Sequence, residues 1–281
     1  MGLKYIIAAI VFVLLNVVYI GAGLYLYNVT LKNAAESRST NETNINLLKQ
    51  KLGMFENMSG NVSFKSPKEF EEKVYQVINS YILENSNQKI SAHLEKYKLA
   101  DESSREPIYG NESARFTLVE YSDLECPYCR AYTATPMALV NDNPEYLNLR
   151  FQHFPLSFHD PVASHQAHAV ECVGELAGNR AYWAFIKSIF ENTKGNGAGV
   201  ASVNSIASTV GVSSEDLDEC MLTRKYVPRI QAQQAQGRDF GVSSTPTTVI
   251  VDNLTGKSKL LQGVQSREAL LNVINQMAGQ G

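Results

Sequence analysis

Hydrophobic and polar positions divide the chain into three stretches. The first runs from Tyr5 to Tyr27, 23 residues with no charge and only Asn16 strongly polar. About 20 apolar residues suffice to cross a bilayer, so residues 1–27 read as a transmembrane anchor, with a cleaved export signal as the alternative. The second stretch is polar and rich in Asn and Ser. Within it Leu31, Ala34, Arg38, Asn41, Ile45, Leu48, Leu52 and Phe55 fall on alternating steps of three and four. That spacing gives a short helical seam in the second half, or else a plain stalk or linker. Ser66-Pro67-Lys68-Glu69 has the form of a helix start, with Ser as N-cap, Pro at N1 and Glu at N3. Phe70, Val74, Val77, Ile78, Tyr81 and Ile82 then share one apolar face, and a second short helix is predicted over 88–98 with Ile90, Leu94 and Tyr97 inward. Residues 101–105 read as a charged linker and 108–111 as a turn. Residues 28–105 are thus expected to form a helical stalk through which the chain self-associates into a homo-oligomer.

From Ala114 the pattern changes. Strands are predicted over 116–121 and 147–154, with a helix over 127–139 between them. Helices follow over 161–176, 181–192, 201–210, 214–223 and 226–240. A hairpin over 247–252 and 258–262 turns at Asn253-Leu254-Thr255-Gly256, and Ser266 caps a last helix to Met277. Strand–helix–strand, then a hairpin and a helix, is an α/β core spanning 106–281, with a helical insert at about 158–225.

Net charge is −3 and the isoelectric point about 6.0, which gives no basic surface and no reason to expect nucleic acid as a partner. The four cysteines, Cys126, Cys129, Cys172 and Cys220, allow two pairs, and two disulfides would indicate an oxidising compartment.

Cys126-Pro127-Tyr128-Cys129 lies where an apolar strand meets a helix. Two thiols spaced i, i+3 at a helix start can close and reopen a small ring, and the helix N-terminus favours a thiolate. A zinc site would need two further ligands, and Cys172 and Cys220 stand singly. A purely structural disulfide would gain little from so small a loop. His153, His159, His165 and His168 are read as surface or packing residues, and no metal is expected. Pro246, within Ser244-Thr245-Pro246-Thr247 ahead of a strand, is by itself compatible with an edge or turn proline.

Taken together, Phe116 to Cys129, Phe151-Gln-His-Phe-Pro-Leu156, Gly178-Asn-Arg-Ala-Tyr-Trp183, the Cys172/Cys220 pair and Gly241-Val-Ser-Ser-Thr-Pro-Thr247 resemble the DsbA-type thiol-disulfide oxidoreductases of the thioredoxin superfamily. The resemblance covers about Glu69 to the C-terminus. Cys-Pro-Tyr-Cys is also the glutaredoxin motif, but the 120 residues between Cys126 and Pro246 and the helical insert favour DsbA.

The resemblance implies a thioredoxin fold with an inserted helical domain and no cofactor. It makes Cys126 the exposed nucleophile and Cys129 the resolving thiol. It makes Glu120 a buried acid that relays protons, the alternative being an ordinary strand-edge carboxylate. Thr245 and Pro246 would form a cis-proline loop presenting backbone to a bound peptide. Cys172 and Cys220 would staple two helices, a second redox pair being the alternative. Asp123 and Glu125 would oppose thiolate formation if they approached Cys126. Tyr128 stands where strongly oxidising relatives carry His, and Thr245 where they usually carry Val. These departures, with an N-terminal extension like those of DsbC-like and suppressor-of-copper-sensitivity-like relatives, favour disulfide isomerase or mixed activity. A dedicated oxidase is the runner-up; a client-binding chaperone and a membrane-bound scaffold are alternatives of other classes. The implied partners are cysteine-containing exported proteins and a membrane redox protein, with the catalytic domain outside the cytoplasm.

Overall fold

The structure is a computed structural model and describes residues 66–100, 102 and 106–279. The expected anchor and the seam over 31–55 lie outside the described residues. Among the described residues no helix is long and apolar enough to cross a membrane.

Helix α1 spans Pro67–Leu94, and its start follows the N-cap pattern: Ser66 Oγ accepts the Glu69 N–H at 3.2 Å. A single helix replaces the two expected. Glu84 to Asn87 contains neither Gly nor Pro, and each Asn or Ser costs a helix well under ~1 kcal/mol, too little to break it. Ile78 and Ile82, two members of the expected apolar face, are exposed, as are Tyr75 and Leu83. The chain divides after Ile82 into two units, and the second, residues 83–281, holds all the remaining elements.

The second unit is built on a five-stranded mixed sheet. Its strands are β1 (Ile108–Gly110), β2 (Phe116–Ser122), β3 (Leu147–His153), β4 (Thr247–Asp252) and β5 (Ser258–Gln262), in the order β1-β3-β2-β4-β5. β2 and β3 run parallel and every other pair is antiparallel. Residues 108–110 are therefore a strand and not the expected turn. Three residues are too few to show alternation, and their pairing with β3 is what defines them.

Between β2 and β3 the chain forms α2 (Pro127–Tyr132) and α3 (Ala134–Asp142), where one helix was expected. Pro136 has no N–H to give the Tyr132 carbonyl, so the helix breaks at Thr133. The insert contains α4 (Val162–Asn192), α5 (Val203–Ser208) and α6 (Ser214–Thr223). α4 is kinked at Gly178, whose φ of 86° suits glycine, and Glu102 caps the second half by accepting the Asn179 N–H at 2.7 Å. α7 (Val227–Asp239) and α8 (Arg267–Ala278) complete the unit.

Alternation along the strands sorts two cores. Phe116, Leu118, Leu149, Phe151 and Ile250 join α3, α4 and α8 in the larger one, around the fully buried Trp183, Tyr182 and Phe185. Tyr121, Phe154, Val242 and Val249 form the smaller. Each fully buried aromatic or aliphatic side chain in these cores stabilises the fold by about 1.5–3 kcal/mol. The same alternation sends Glu120 to the larger core, on the side of α2.

Candidate active site

Cys126 is the extended N-cap residue of α2 (φ −81°, ψ 119°), and Pro127 occupies the first helical position, where its missing N–H costs nothing. Cys126 keeps 5% of its surface exposed and Cys129, one turn further in, keeps none. Both are free thiols. The Thr245–Pro246 peptide bond is cis, and Cys126 Sγ donates to the Thr245 carbonyl at 3.6 Å. Thr245, just ahead of the strand-entrance proline, and the helix-start cysteine, 119 residues apart in sequence, thus meet at one sulfur.

The Cys126 thiol is lowered from its ordinary value of 9.0 to about 6, chiefly because the Cys129 thiol donates to its sulfur. Burial opposes the shift, while the backbone N–H groups of Cys129 and Tyr128 and the Thr245 side chain add to it. Cys129 moves the other way, pushed up by burial and then by Cys126 itself. The two sulfurs are therefore unequal: one ionises near neutrality, and the other holds its proton. Tyr128, between them, is 68% exposed and contributes through its backbone.

Behind the pair lies Glu120, fully buried, its carboxyl raised to about 7 by desolvation. Thr133 Oγ1 donates to Glu120 Oε1 at 2.9 Å and also lies 3.0 Å from the Cys129 carbonyl, so the helix break at Thr133 joins the acid to the cysteine turn. The buried Ser122 hydroxyl favours the ionised forms of both Glu120 and Cys129, although no hydrogen bond of ordinary length joins it to either. Tyr132 and Thr248 close the floor through a 2.7 Å hydroxyl contact.

The carboxylates of Asp123 and Glu125 are engaged elsewhere, and neither is among the groups that shift Cys126. Asp123 accepts from the backbone of Glu125 and Leu156 and pairs with the His159 ring. Glu125 accepts from the Thr193 hydroxyl and from the Gly199 N–H at 2.9 Å. Sequence proximity suggested opposition to the thiolate; the side-chain directions remove it. Cys172 on α4 and Cys220 on α6 are joined by a disulfide, away from this centre. The histidines do not converge. His153 lies 3.4 Å from Glu171, and among the described residues no cluster of His, Cys, Asp and Glu could hold a metal ion.

A protein-family model described as Thioredoxin matches residues 102–269. Pseudomonas aeruginosa DsbA2 is similar in both sequence and structure: 34% identity, a TM-score of 0.57, and coverage of 62% of this chain and 94% of that one. The chain belongs to the DsbA-like thioredoxin family. A thioredoxin-like oxidoreductase from Silicibacter pomeroyi is 25% identical with a TM-score of 0.52, over 62% of this chain and 92% of that one. Among curated proteins, a Na(+)/H(+) antiporter NhaA 1 of Salinispora arenicola is 29% identical over 146 residues, 51% of this chain. The chain spans about a fifth of that relative, 21% of its length. In this DsbA-like chain the centre combines an ionisable outer thiol, a proton-holding inner thiol, a buried acid and the Thr245 carbonyl ahead of the cis-proline. That set of groups can carry out thiol–disulfide exchange.

Proposed function

We propose that the chain exchanges disulfides with cysteine-containing exported polypeptides through Cys126 and Cys129. The observation that carries this reading is the inequality of the two thiols, with the outer one lowered to about 6 beside the Thr245 carbonyl. In the oxidising direction a client thiolate attacks Cys126 Sγ of the closed pair. A mixed disulfide forms and Cys129 leaves as a thiolate, which takes up a proton. A second client thiolate then attacks the client sulfur of the mixed disulfide and releases Cys126. The client loses two electrons, and the Cys126–Cys129 pair gains them. For reshuffling, the Cys126 thiolate attacks a client disulfide, and a freed client thiolate later displaces it with no net electron transfer. Glu120, raised to about 7, suits the role of exchanging a proton with Cys129 as each step proceeds.

The poise favours isomerase or mixed activity. A nucleophilic cysteine at about 6 lies between thioredoxin, at about 7, and the strongly oxidising DsbA, at about 3.5. The exposed Tyr128 ring supplies no donor that would lower it further. Dedicated oxidation is the second reading, supported by the 34% identity to DsbA2.

We place the catalytic unit, residues 106–281, outside the cytoplasm, tethered by Tyr5–Tyr27 and recharged by a membrane redox protein. Residues 28–105 serve self-association, for which the exposed Tyr75, Ile78 and Ile82 at steps of three and four on α1 offer an apolar stripe.

Alkylation of the reduced full-length chain should be half-maximal near pH 6 at Cys126, with Cys129 inert. Insulin reduction and reactivation of scrambled ribonuclease should both require Cys126. Alkylation no faster than that of a free thiol would reject the exchange reading, and net oxidation without reshuffling would select the oxidase.

A further inference from the structure

Asp123 is the best-connected buried carboxylate near the cysteines, and the exchange chemistry above assigns it nothing. Its carboxylate is sealed from solvent. Oδ1 accepts the Glu125 N–H at 2.7 Å, closing the tight turn ahead of Cys126. Such a contact alone would make Asp123 an ordinary turn residue. Oδ2, however, reaches a distant segment, accepting the Leu156 N–H at 2.8 Å and meeting His159 Nδ1 at 2.8 Å. The carboxylate accepts, so Nδ1 carries the proton. The His159 ring is itself held, stacked edge-on at 4.5 Å by Phe158.

The backbone of the same residue faces the cysteines. The Asp123 carbonyl accepts the Cys126 N–H at 3.0 Å, and the Asp123 N–H is among the groups that favour ionised Cys129. One residue thus ties the cysteine loop to the chain entering the insert with its side chain, and touches both cysteines with its main chain. The helix N-terminus can stabilise a thiolate only while the Cys126 sulfur stays in line with the N–H groups of Tyr128 and Cys129, and geometry of this kind tolerates little slack.

We propose that Asp123, braced by His159, is a positioning residue for thiol–disulfide exchange: it holds the β2–α2 loop in the register that keeps Cys126 aligned with the start of α2. The inference rests on the exchange reading above and names the group that sets its geometry.

The test is the pH profile of Cys126 alkylation in the reduced full-length chain, with the Cys126–Cys129 equilibrium against glutathione as a second readout. Asp123→Asn keeps one acceptor but turns an amino group toward the Leu156 and His159 donors. At pH 6.5 it should alkylate at least fivefold more slowly than wild type, and its disulfide should become harder to reduce. His159→Phe, which keeps a ring and removes the donor, should move both readouts the same way. His159→Asn, which restores an N–H at the δ position, should return them toward wild type. Combining Asp123→Asn with His159→Phe should add little to Asp123→Asn alone, because both remove one contact. A purely structural role would lower the melting temperature of these variants and leave the profile in place. Should Asp123→Asn not fold, the two His159 variants decide the matter by loss and rescue. Folded variants whose profiles stay within twofold of wild type would overturn the inference. Wild type lacking a preferentially reactive Cys126 would instead defeat the exchange reading beneath it.

Discussion

At Glu120 the alternation of β2 turns a carboxylate into the protein core, where one hydroxyl, that of Thr133, is its hydrogen-bond donor. Desolvation raises it from 4.5 to about 7, so between those values the folded chain holds a proton that the unfolded chain has lost. Stability must then fall as pH rises through that window, by an amount on the order of 3 kcal/mol. Glu120→Gln retains an acceptor for Thr133 and should abolish the slope. We expect the variant to match wild type at pH 4.5 and exceed it at pH 8, in chemical unfolding of the oxidised protein, where Cys126 does not titrate. Parallel pH slopes for the two proteins would show that Glu120 is ionised when folded. At this scale the paired cysteines at a helix start were legible from local chain geometry, whereas the burial of Glu120 and the cis bond before Pro246 were legible only through the family resemblance. Asp123 and His159 were legible in neither way. They lie 36 residues apart, and His159 looked like one of several histidines near a helix start. Whether Asp123 and Glu125 approach Cys126 was left open, because adjacency along the chain does not give the direction of a side chain.

Among the elements, α7 lies close against the sheet. A Cβ at Gly237 would come 2.9 Å from the Tyr121 ring and 3.0 Å from Phe154. Overpacking of that kind costs about 1–3 kcal/mol, while alanine recovers up to ~1 kcal/mol of helix propensity. Gly237→Ala should therefore lower stability by up to about 2 kcal/mol, visible as a reduced urea midpoint with unchanged slope. An unchanged midpoint would mean that α7 can shift away from the sheet at no cost. Strong periodicity made β2, β3, β4, the hairpin and α8 readable. Three features escaped for separate reasons. β1 is defined by pairing and not by pattern. The interruption at Thr133 depends on which carbonyl Pro136 leaves unpaired. The run through Asn85-Ser86-Asn87 shows that turn-favouring residues without Gly or Pro do not stop a helix already under way.

For the whole molecule, the bond between Cys172 and Cys220 closes a 48-residue separation and ties α4 to α6. Loop-closure entropy for that length is worth about 4 kcal/mol. Cys172→Ala with Cys220→Ala should lose about 2–5 kcal/mol in urea unfolding, while Cys126 keeps its alkylation profile. A shifted profile would mean that this bond also tunes the exchange centre; an unchanged midpoint would remove its role as a staple. The succession of elements along the chain from β2 onward was visible from sequence, whereas the order of strands in the sheet and the way two acidic side chains fasten the insert to the cysteine loop required the tertiary structure. The sheet margins carry one more consequence. β1 is three residues long, and its outer side is already occupied, by the Gly110 N–H bond to the Leu99 carbonyl and by the bridge between Ala100 and Tyr109. At the opposite margin β5 exposes Ser258 and Lys259. On the exchange reading proposed above, an unfolded client would therefore meet a short, occupied border on one flank and a charged one on the other, and would find little template for aggregation.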